Sequence, residues 1–285
     1  MLYQRFISGF TGFVFMLLVL FASNYYNFLI NLVMSVITVV AVKEILDIRN
    51  MKSYKVIFFA SMGFSMCRCL LGPGVWWRTC FYCYTLIVFI IFIKEFKKPS
   101  FNKKNKQKYL KFNIIFVYIL TLFISVALGE IVAINNLGAK NSKIIGIFYT
   151  YITLGLAFSC DIGAYLMGKY FGKNKLCPSV SPAKTVEGAV GGALMSLGFI
   201  VCSGFMFNFL FKIPVNILNL AFLSLLGAPI AILGDLCFSI IKRTSSIKDF
   251  SDLIPGHGGI LDRFDSVIFT APYVYIFINF INIIN

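Results

Sequence analysis

The membrane character of this chain is clearest in residues 215–243, which read VNILNLAFLSLLGAPIAILGDLCFSIIKR. The apolar part of this stretch exceeds the roughly 20 residues that a helix needs to cross the hydrocarbon core of a bilayer. It ends on Lys242 and Arg243, as expected where a helix leaves the membrane on its cytoplasmic side. The one acid inside it, Asp235, is costly at that depth, and such residues usually face a wet cavity. The stretch therefore predicts a transmembrane helix that carries a functional carboxylate.

The composition extends this interpretation to the whole chain. Of its 285 residues, 59% are hydrophobic, 32 are Phe and only 13% are charged, against roughly 25% charged residues in soluble domains. A soluble protein this apolar could not cover its surface with polar groups, whereas a lipid-facing protein need not do so. The net charge of +15 is collected in loops between apolar runs, which favours an anionic membrane surface or phosphorylated substrates over nucleic acid.

Long apolar runs predict an all-α, polytopic transmembrane helix bundle with about nine spans. The runs occupy residues 7–22, 26–43, 56–71, 75–94, 112–133, 144–168, 187–210, 215–241 and 259–283. We divide the chain into an N-terminal transmembrane region, residues 1–111, with about four spans, and a C-terminal catalytic transmembrane region, residues 112–285, with about five.

Basic residues predict the orientation of these helices. Arg5 and four alternate loops hold most of the Lys and Arg residues; the loops are 43–55, 94–111, 169–185 and 242–258. By the positive-inside rule, the N-terminus and these loops lie in the cytoplasm. The lysines of loop 94–111 could also bind anionic headgroups, although a solvated loop that merely sets topology is the favoured interpretation.

The eight Cys residues do not predict a disulfide framework or a zinc site. Cys67, Cys69, Cys80 and Cys83 have spacings that superficially resemble zinc motifs, but they lie in or beside apolar stretches with no His nearby. Buried cysteines that act as small hydrophobic residues are the favoured interpretation.

Acidic residues are scarce and are concentrated in the C-terminal half. Only 11 occur in the chain, and seven of them are Asp161, Glu187, Asp235, Asp249, Asp252, Asp262 and Asp265. A lone acid of this kind could be a structural ion-pair partner, whereas seven acids interleaved with Lys, Arg and Gly indicate a functional site. Asp235, Ser239 and Lys242 share one helical face by their spacing. Asp262 and Asp265 are i, i+3 neighbours at the start of the next helix.

The loop between these two helices is rich in glycine around the only His of the chain. Gly256, Gly258 and Gly259 let the backbone approach a ligand closely. His257 could be a general base, a phosphate contact, a metal ligand or a turn residue, and zinc ligation is disfavoured because no second His completes a site. Carboxylates suit Mg²⁺ bound together with substrate phosphates, and the neighbouring cations suit phosphoryl or nucleotidyl transfer.

A second group of motifs precedes the seventh predicted span. Residues 181–188, SPAKTVEG, predict a helix start with Thr185 as N-cap and Gly188 in the first turn. Lys184 beside a free helix N-terminus would also make an anion site. The Gly188-x-x-x-Gly192 spacing, together with Gly191, indicates close helix packing.

About the last 130 residues resemble the phosphatidate cytidylyltransferases, or CDP-diacylglycerol synthases. The resemblance rests on Ser239-x-x-Lys242-Arg243-x-x-x-x-Lys248-Asp249-x-Ser251-x-x-Ile254-Pro255-x-His257-Gly258-Gly259-x-x-Asp262-Arg263-x-Asp265, and on the Asp-x-Gly-Ala-Tyr, Phe-Gly-Lys and Ser-Pro-x-Lys-Thr-x-Glu-Gly elements of residues 161–192. The first 150 residues are similar to the family only as a string of spans.

The resemblance implies a multi-pass enzyme of the bacterial inner (cytoplasmic) membrane, with its active site facing the cytoplasm. Such an enzyme converts CTP and phosphatidate into CDP-diacylglycerol and pyrophosphate in phospholipid biosynthesis. Mg²⁺ is the implied cofactor, and a monovalent cation such as K⁺ is a second candidate. The expected partners are CTP, phosphatidate, membrane lipids and a second copy of the chain in a homodimer, and no nucleic acid is expected.

On this resemblance, each motif residue receives an expected role. The expected metal ligands are Asp235 and Asp262. The expected catalytic residues are Lys242, Lys248, Asp249, His257, Arg263 and Asp265. The expected substrate-binding residues are Ser181, Lys184, Thr185, Ser239, Arg243, Gly258 and Gly259.

Two alternative functions stay open. Another CTP-dependent membrane lipid enzyme, such as a polyprenol kinase, would carry a related motif but act on a different acceptor. A transporter would also place acids within the membrane, but we see no internal repeat in the sequence, and the polar residues crowd into one half.

Overall fold

The computed structural model describes residues 2–26, 28–48, 55–71, 75–97, 104–138, 142–254 and 258–284. In these ranges the chain forms helices α1 (Leu2–Ser23), α2 (Phe28–Ile48), α3 (Lys55–Leu70), α4 (Val75–Lys97), α5 (Lys104–Gly138), α6 (Lys143–Phe171), α7 (Val186–Phe211), α8 (Ile217–Thr244) and α9 (Leu261–Phe280). Two short strands, β1 (Lys175–Cys177) and β2 (Ser181–Thr185), lie between α6 and α7.

Each predicted span overlaps one of these helices, so the helical membrane protein class is confirmed. Within the described residues, five segments are long and apolar enough to cross a membrane: Phe28–Ile48, Asn113–Leu137, Lys143–Phe171, Val186–Phe211 and Ile217–Thr244. The count of nine spans and the cytoplasmic N-terminus stay predictions. The strand pair is an addition to the predicted all-α fold, in a stretch that the sequence analysis treats as a loop.

The described residues form two compact units. Unit 1 consists of Met1–Val132 and Phe250–Leu261, and unit 2 consists of Ala133–Asp249 and Asp262–Asn285. These bounds differ from the functional division between residues 111 and 112, which stays a prediction.

Hydroxyl groups join the helices inside unit 1. The Tyr84 hydroxyl of α4 lies 2.9 Å from Ser61 Oγ of α3 and 2.8 Å from Thr121 Oγ1 of α5. Arg68 of α3, which is 2% exposed, donates through Nη2 to Glu130 Oε1 of α5 at 2.8 Å. A buried charge needs such a partner because an unpaired one is very costly in an apolar interior.

Glycines bring α6 and α7 of unit 2 into close contact. A Cβ atom added at Gly192 would lie 2.7 Å from the Cys160 carbonyl oxygen, and one added at Gly163 would lie 2.7 Å from the Gly191 carbonyl oxygen. Backbone atoms cannot yield at these distances, so only glycine fits. The predicted close packing at Gly191 and Gly192 is therefore confirmed, and it sets the start of α7 against α6.

The strand pair leads directly into α7. β1 and β2 are antiparallel, with Lys175 opposite Thr185 and Cys177 opposite Ser181. Thr185 caps the helix, because its Oγ1 accepts a hydrogen bond from the Gly188 N–H at 3.1 Å. The predicted N-cap is therefore confirmed. The hairpin fixes the residue before the cap, Lys184, at the N-terminal end of α7.

Candidate functional site

A buried polar cluster of unit 2 lies where α8 ends and α9 begins. Lys242 Nζ, in the last turn of α8, donates to Asp262 Oδ1 at 2.8 Å and lies 3.9 Å from Asp265 Oδ2. The side chains of Asp262 and Asp265 are 4% and 9% exposed. Their i, i+3 spacing places both acids near one ammonium group.

A second ion pair lies beside it. Lys184, delivered by β2, pairs through its Nζ with Asp235 Oδ2 of α8. Ser239, one turn further along α8, donates to Asp235 Oδ1 at 3.4 Å. The side chains of Lys184 and Asp235 are 22% and 27% exposed, so this pair is more open to solvent than the pair at Lys242.

Asp161 of α6 adds a third carboxylate. Ser266 of α9 donates its hydroxyl to Asp161 at 3.1 to 3.2 Å, and its N–H to Asp265 Oδ1 at 2.8 Å. Asp161, Asp235 and Asp265 lie close enough to interact electrostatically. Acids from three helices therefore converge, with the ammonium groups of Lys184 and Lys242 among them.

The donor set of this cluster suits a hard cation. Among the residues that the structure describes, no three His, Cys, Asp or Glu side chains are arranged to hold a metal ion by themselves. Mg²⁺ does not require such a cage, because it binds one or two carboxylates together with water and substrate phosphates. The partly exposed carboxylate of Asp235 fits that role. Asp262 offers the same oxygen chemistry, although Lys242 already occupies its Oδ1.

Other motif residues take different positions. Arg243 donates through Nε to the Val180 carbonyl and through Nη1 to the Ile247 carbonyl, each at 3.4 Å, and so ties the end of α8 to the hairpin. Lys248 and Asp249 are exposed in the following loop, and no described contact brings either side chain to the carboxylate cluster. His257 falls outside the described residues.

The glycine-rich loop belongs to unit 1. Ile254 N–H donates to the Gly258 carbonyl at 2.8 Å, and Gly258 has a φ of 78°, in the left-handed region that glycine adopts without strain. Gly259 lies against the carboxylate of Glu44, where an added Cβ would be 2.5 Å from Oε1. The expected ligand contacts of Gly258 and Gly259 stay a prediction.

Glu187 has a structural role. Its carboxylate accepts from the N–H groups of Lys173 and Asn174, at 3.1 Å each, and from the Asn174 side chain at 2.8 Å. These bonds hold the turn before β1. Glu187 counts among the seven concentrated acids, but the structure uses it to shape the hairpin that carries Lys184.

Three residues for which the sequence predicts no individual role take part in these networks. Asp161 is counted among the concentrated acids without a function, although its place near the end of an apolar run was a usable signal. Ser266 gives no signal, since a single serine in a span is common. Glu44 also carries a signal, as one of the few acids in the first half of the chain.

Comparisons with known proteins relate the chain to one family. The sequence model of the cytidylyltransferase family matches residues 3–281. The phosphatidate cytidylyltransferase of Bacillus subtilis is 36% identical over 160 residues, which are 56% of each chain. That of Synechocystis sp. is 43% identical over 136 residues, 47% of this chain and 44% of its own. That of Haemophilus influenzae is 40% identical over 136 residues, 48% of this chain and 47% of its own. The alignments thus span about half the length of these relatives.

Proposed function

This chain belongs to the cytidylyltransferase family, and we propose that it is a phosphatidate cytidylyltransferase, which converts CTP and phosphatidate into CDP-diacylglycerol and pyrophosphate. The observation that carries the proposal is the convergence of Asp161, Asp235 and Asp265 with Lys184 and Lys242 in unit 2. A site in which acidic and basic side chains are neighbours suits a reaction between two phosphate groups. The carboxylates can bind a metal ion, and the cations can bind phosphate oxygens. Three relatives that bear this name support the substrate assignment.

The nucleophile needs little activation. The phosphate monoester of phosphatidate has a second pKa of about 6 and is largely a dianion at neutral pH. One of its oxygens attacks the α-phosphorus of CTP, a new P–O bond forms, and the bond to the β-phosphate oxygen breaks. Pyrophosphate leaves with the electron pair of that bond. The barrier is then charge repulsion and alignment, and both are met by fixed cations and hydrogen-bond donors.

The cations of unit 2 would supply that stabilisation. Lys184 and Lys242 are held in place by Asp235 and Asp262, so their ammonium groups need little reordering when a phosphate binds. Arg263, in the first turn of α9, lies within electrostatic range of Asp161. We assign these three residues to phosphate binding, with Arg243 in the last turn of α8 and Lys248 in the following loop as further contacts.

Asp235 and Asp262 are the proposed Mg²⁺ ligands, with Asp161 and Asp265 as neighbouring carboxylates. When bound, Mg²⁺ offsets the negative charge on the phosphate oxygens and favours pyrophosphate as leaving group. The oxygen-only donor set fits this ion. A monovalent cation such as K⁺ is part of the same proposal and rests on the family resemblance alone.

We place the site at the cytoplasmic face of a bacterial inner membrane. Helix α8 ends and α9 begins at the polar cluster, α7 begins just after Lys184, and Lys169, Lys242 and Arg243 lie in the last turns of α6 and α8. The positive-inside rule supports a cytoplasmic position for such an end. CTP would arrive from water and phosphatidate from the inner leaflet. The homodimer and further lipid contacts rest on the family resemblance alone.

Two labels on CTP test the proposal. The purified chain in detergent is incubated with phosphatidate or with a polyprenol, and with CTP labelled at either the α- or the γ-phosphate. A cytidylyltransferase transfers the α label to phosphatidate and releases pyrophosphate. A polyprenol kinase transfers the γ label to the alcohol and releases CDP, and that result would overturn the proposal. Asp235→Asn should slow the α-label transfer by roughly 100-fold, whereas Asp252→Asn, at an exposed acid outside the cluster, should retain it.

A further inference from the structure

Glu44, near the end of α2, holds both ends of the loop that precedes α9. Glu44 is buried, with 5% of its surface exposed to solvent. Oε1 accepts from the Ser251 hydroxyl at 2.6 Å and from the Ile260 N–H at 3.0 Å, and Oε2 accepts from the Leu261 N–H at 2.8 Å. All four residues lie in unit 1. One carboxylate thus binds residue 251 as well as residues 260 and 261.

The start of α9 needs an acceptor that its own sequence does not provide. The first N–H groups of a helix have no partner within the helix, and a Ser, Thr, Asp or Asn just before it usually supplies one. Here that position is Ile260, whose side chain has no polar atom. Glu44 supplies the acceptor from α2, and its negative charge also suits the positive end of the helix dipole.

Gly259 fits the same arrangement. A Cβ atom at this position would lie 2.5 Å from Glu44 Oε1 and 2.7 Å from Oε2. The carboxylate would have to move, and its hydrogen bonds to Ser251, Ile260 and Leu261 would lengthen or break. The glycine therefore allows the close approach on which the contact depends.

We propose that Glu44 is a positioning residue, which fixes the loop and the first turn of α9 and thereby the backbone that carries Asp262, Arg263 and Asp265. Asp262 follows Leu261 directly in the chain, so the bond to the Leu261 N–H sets where the helix begins. This inference rests on the proposed function for its catalytic consequence. Its structural part, the anchoring of the loop, is independent of the reaction.

Hydrogen exchange tests the anchoring without any substrate. The full-length chain in detergent is compared with Glu44→Gln, which keeps the side-chain shape but replaces one acceptor oxygen with a donor NH₂ group. The amides of Ile260 and Leu261 should exchange at least roughly tenfold faster in the variant, while those of α7 stay unchanged. Asp252→Asn is the matched control, since it makes the same kind of change at an exposed acid of unit 1. Unchanged exchange at 260 and 261 in Glu44→Gln would overturn the proposal.

Kinetics test the catalytic consequence. If Glu44 positions the start of α9, Glu44→Gln should lower kcat by at least roughly tenfold with little change in the KM for CTP, because alignment is lost more than binding. Asp252→Asn should keep the kcat of the parent. Faster exchange with unchanged kcat would show that Glu44 anchors the loop without affecting catalysis, and would overturn the positioning role. Absence of activity in the parent itself would count against the proposed function and leave the exchange result standing.

A double variant tests whether Gly259 acts through the same contact with Glu44. Gly259→Ala should speed exchange at 260 and 261 in the parent background, because its methyl group displaces the Glu44 carboxylate. In a Glu44→Ala background the same change should have little further effect, since the group it would strike is gone. Equal effects in both backgrounds would show that Gly259 acts independently of Glu44.

Discussion

Lys242 of α8 and Asp262 of α9 form an ion pair in which Nζ and Oδ1 lie 2.8 Å apart. The two side chains are 12% and 4% exposed, so water screens their attraction weakly. Asp265 lies 3.9 Å from the same ammonium group. One lysine therefore compensates two acids, and the pair joins the end of one helix to the start of the next.

Replacing Lys242 by Met should lower both stability and activity. Removing one partner of a buried pair leaves an uncompensated charge and typically costs about 3–5 kcal/mol. We expect a lower thermal unfolding temperature for Lys242→Met in detergent, together with a loss of kcat/KM of at least roughly 100-fold from missing charge stabilisation.

The double variant Lys242→Met/Asp262→Asn separates these two effects. Removing both charges should restore part of the stability, because only the longer contact of Lys242 with Asp265, at 3.9 Å, is then lost, but it should not restore turnover. A double variant that regains turnover would contradict the assignment of these residues to the reaction. Purely additive stability losses would show that the pair is not coupled.

Loss of the ion pair between Lys184 and Asp235 should affect stability less than loss of the pair between Lys242 and Asp262. Its side chains are 22% and 27% exposed, and ion pairs of this kind near solvent contribute only about 0–1 kcal/mol to stability. We expect Asp235→Asn to keep the unfolding temperature near that of the parent while kcat/KM falls by roughly 100-fold. Turnover within a factor of about two of the parent would remove Asp235 from the proposed metal site.

Asp252→Asn is the matched control for this variant. It makes the same chemical change at an exposed acid for which the structure shows no contact with the cluster. Its kcat/KM should equal that of the parent across a Mg²⁺ titration. Asp235→Asn should instead require more Mg²⁺ for half-maximal rate, since one of the proposed ligands has lost its charge.

The helices could be predicted from the sequence because a bilayer imposes a simple rule. A segment that crosses it needs a long apolar run, and the run at 215–241 corresponds to α8 (Ile217–Thr244). Local rules also succeeded where the partners are near in sequence. Thr185 caps α7 through Gly188, three residues away, and the spacing of Gly188 and Gly192 indicated a close helix contact.

Pairings between distant residues could not be predicted in this way. Lys184 and Asp235 belong to a hairpin and a helix, and no period in the sequence relates them. Glu44 and Ser251 are 207 positions apart, so neither local spacing nor charge counts could join them. The hairpin itself was missed because its strands have three and five residues, too few for an alternating pattern to stand out.

Gly192 and Gly198 of α7 should respond oppositely to alanine. An added methyl group at Gly192 would meet the Cys160 carbonyl oxygen at 2.7 Å, whereas nothing lies within 4 Å of the same atom at Gly198. Alanine favours a helix over glycine by about 1 kcal/mol, so Gly198→Ala should be neutral or stabilising. Gly192→Ala should lower the unfolding temperature, because α6 and α7 must separate. Equal effects of the two changes would contradict the close packing of these helices.

Variants of Thr185 can distinguish its role as the N-cap of α7 from its expected role in binding a substrate phosphate. Its Oγ1 accepts from the Gly188 N–H, and loss of such a cap typically costs about 1 kcal/mol. Thr185→Val keeps the shape of the side chain but removes the acceptor, whereas Thr185→Ser keeps the hydroxyl. We expect the valine variant to have the lower unfolding temperature and the serine variant to remain close to the parent.

Kinetic measurements on the same variants show whether the Thr185 hydroxyl also binds a substrate phosphate. The cap bond uses Oγ1 as an acceptor, so the hydroxyl hydrogen is available to donate to a phosphate oxygen. If it does, Thr185→Val should raise the KM for a substrate by at least roughly tenfold at temperatures where the variant is fully folded, and Thr185→Ser should not. A valine variant with the KM values of the parent would restrict Thr185 to its cap, and phosphate binding at this end of α7 would then fall to its neighbour Lys184.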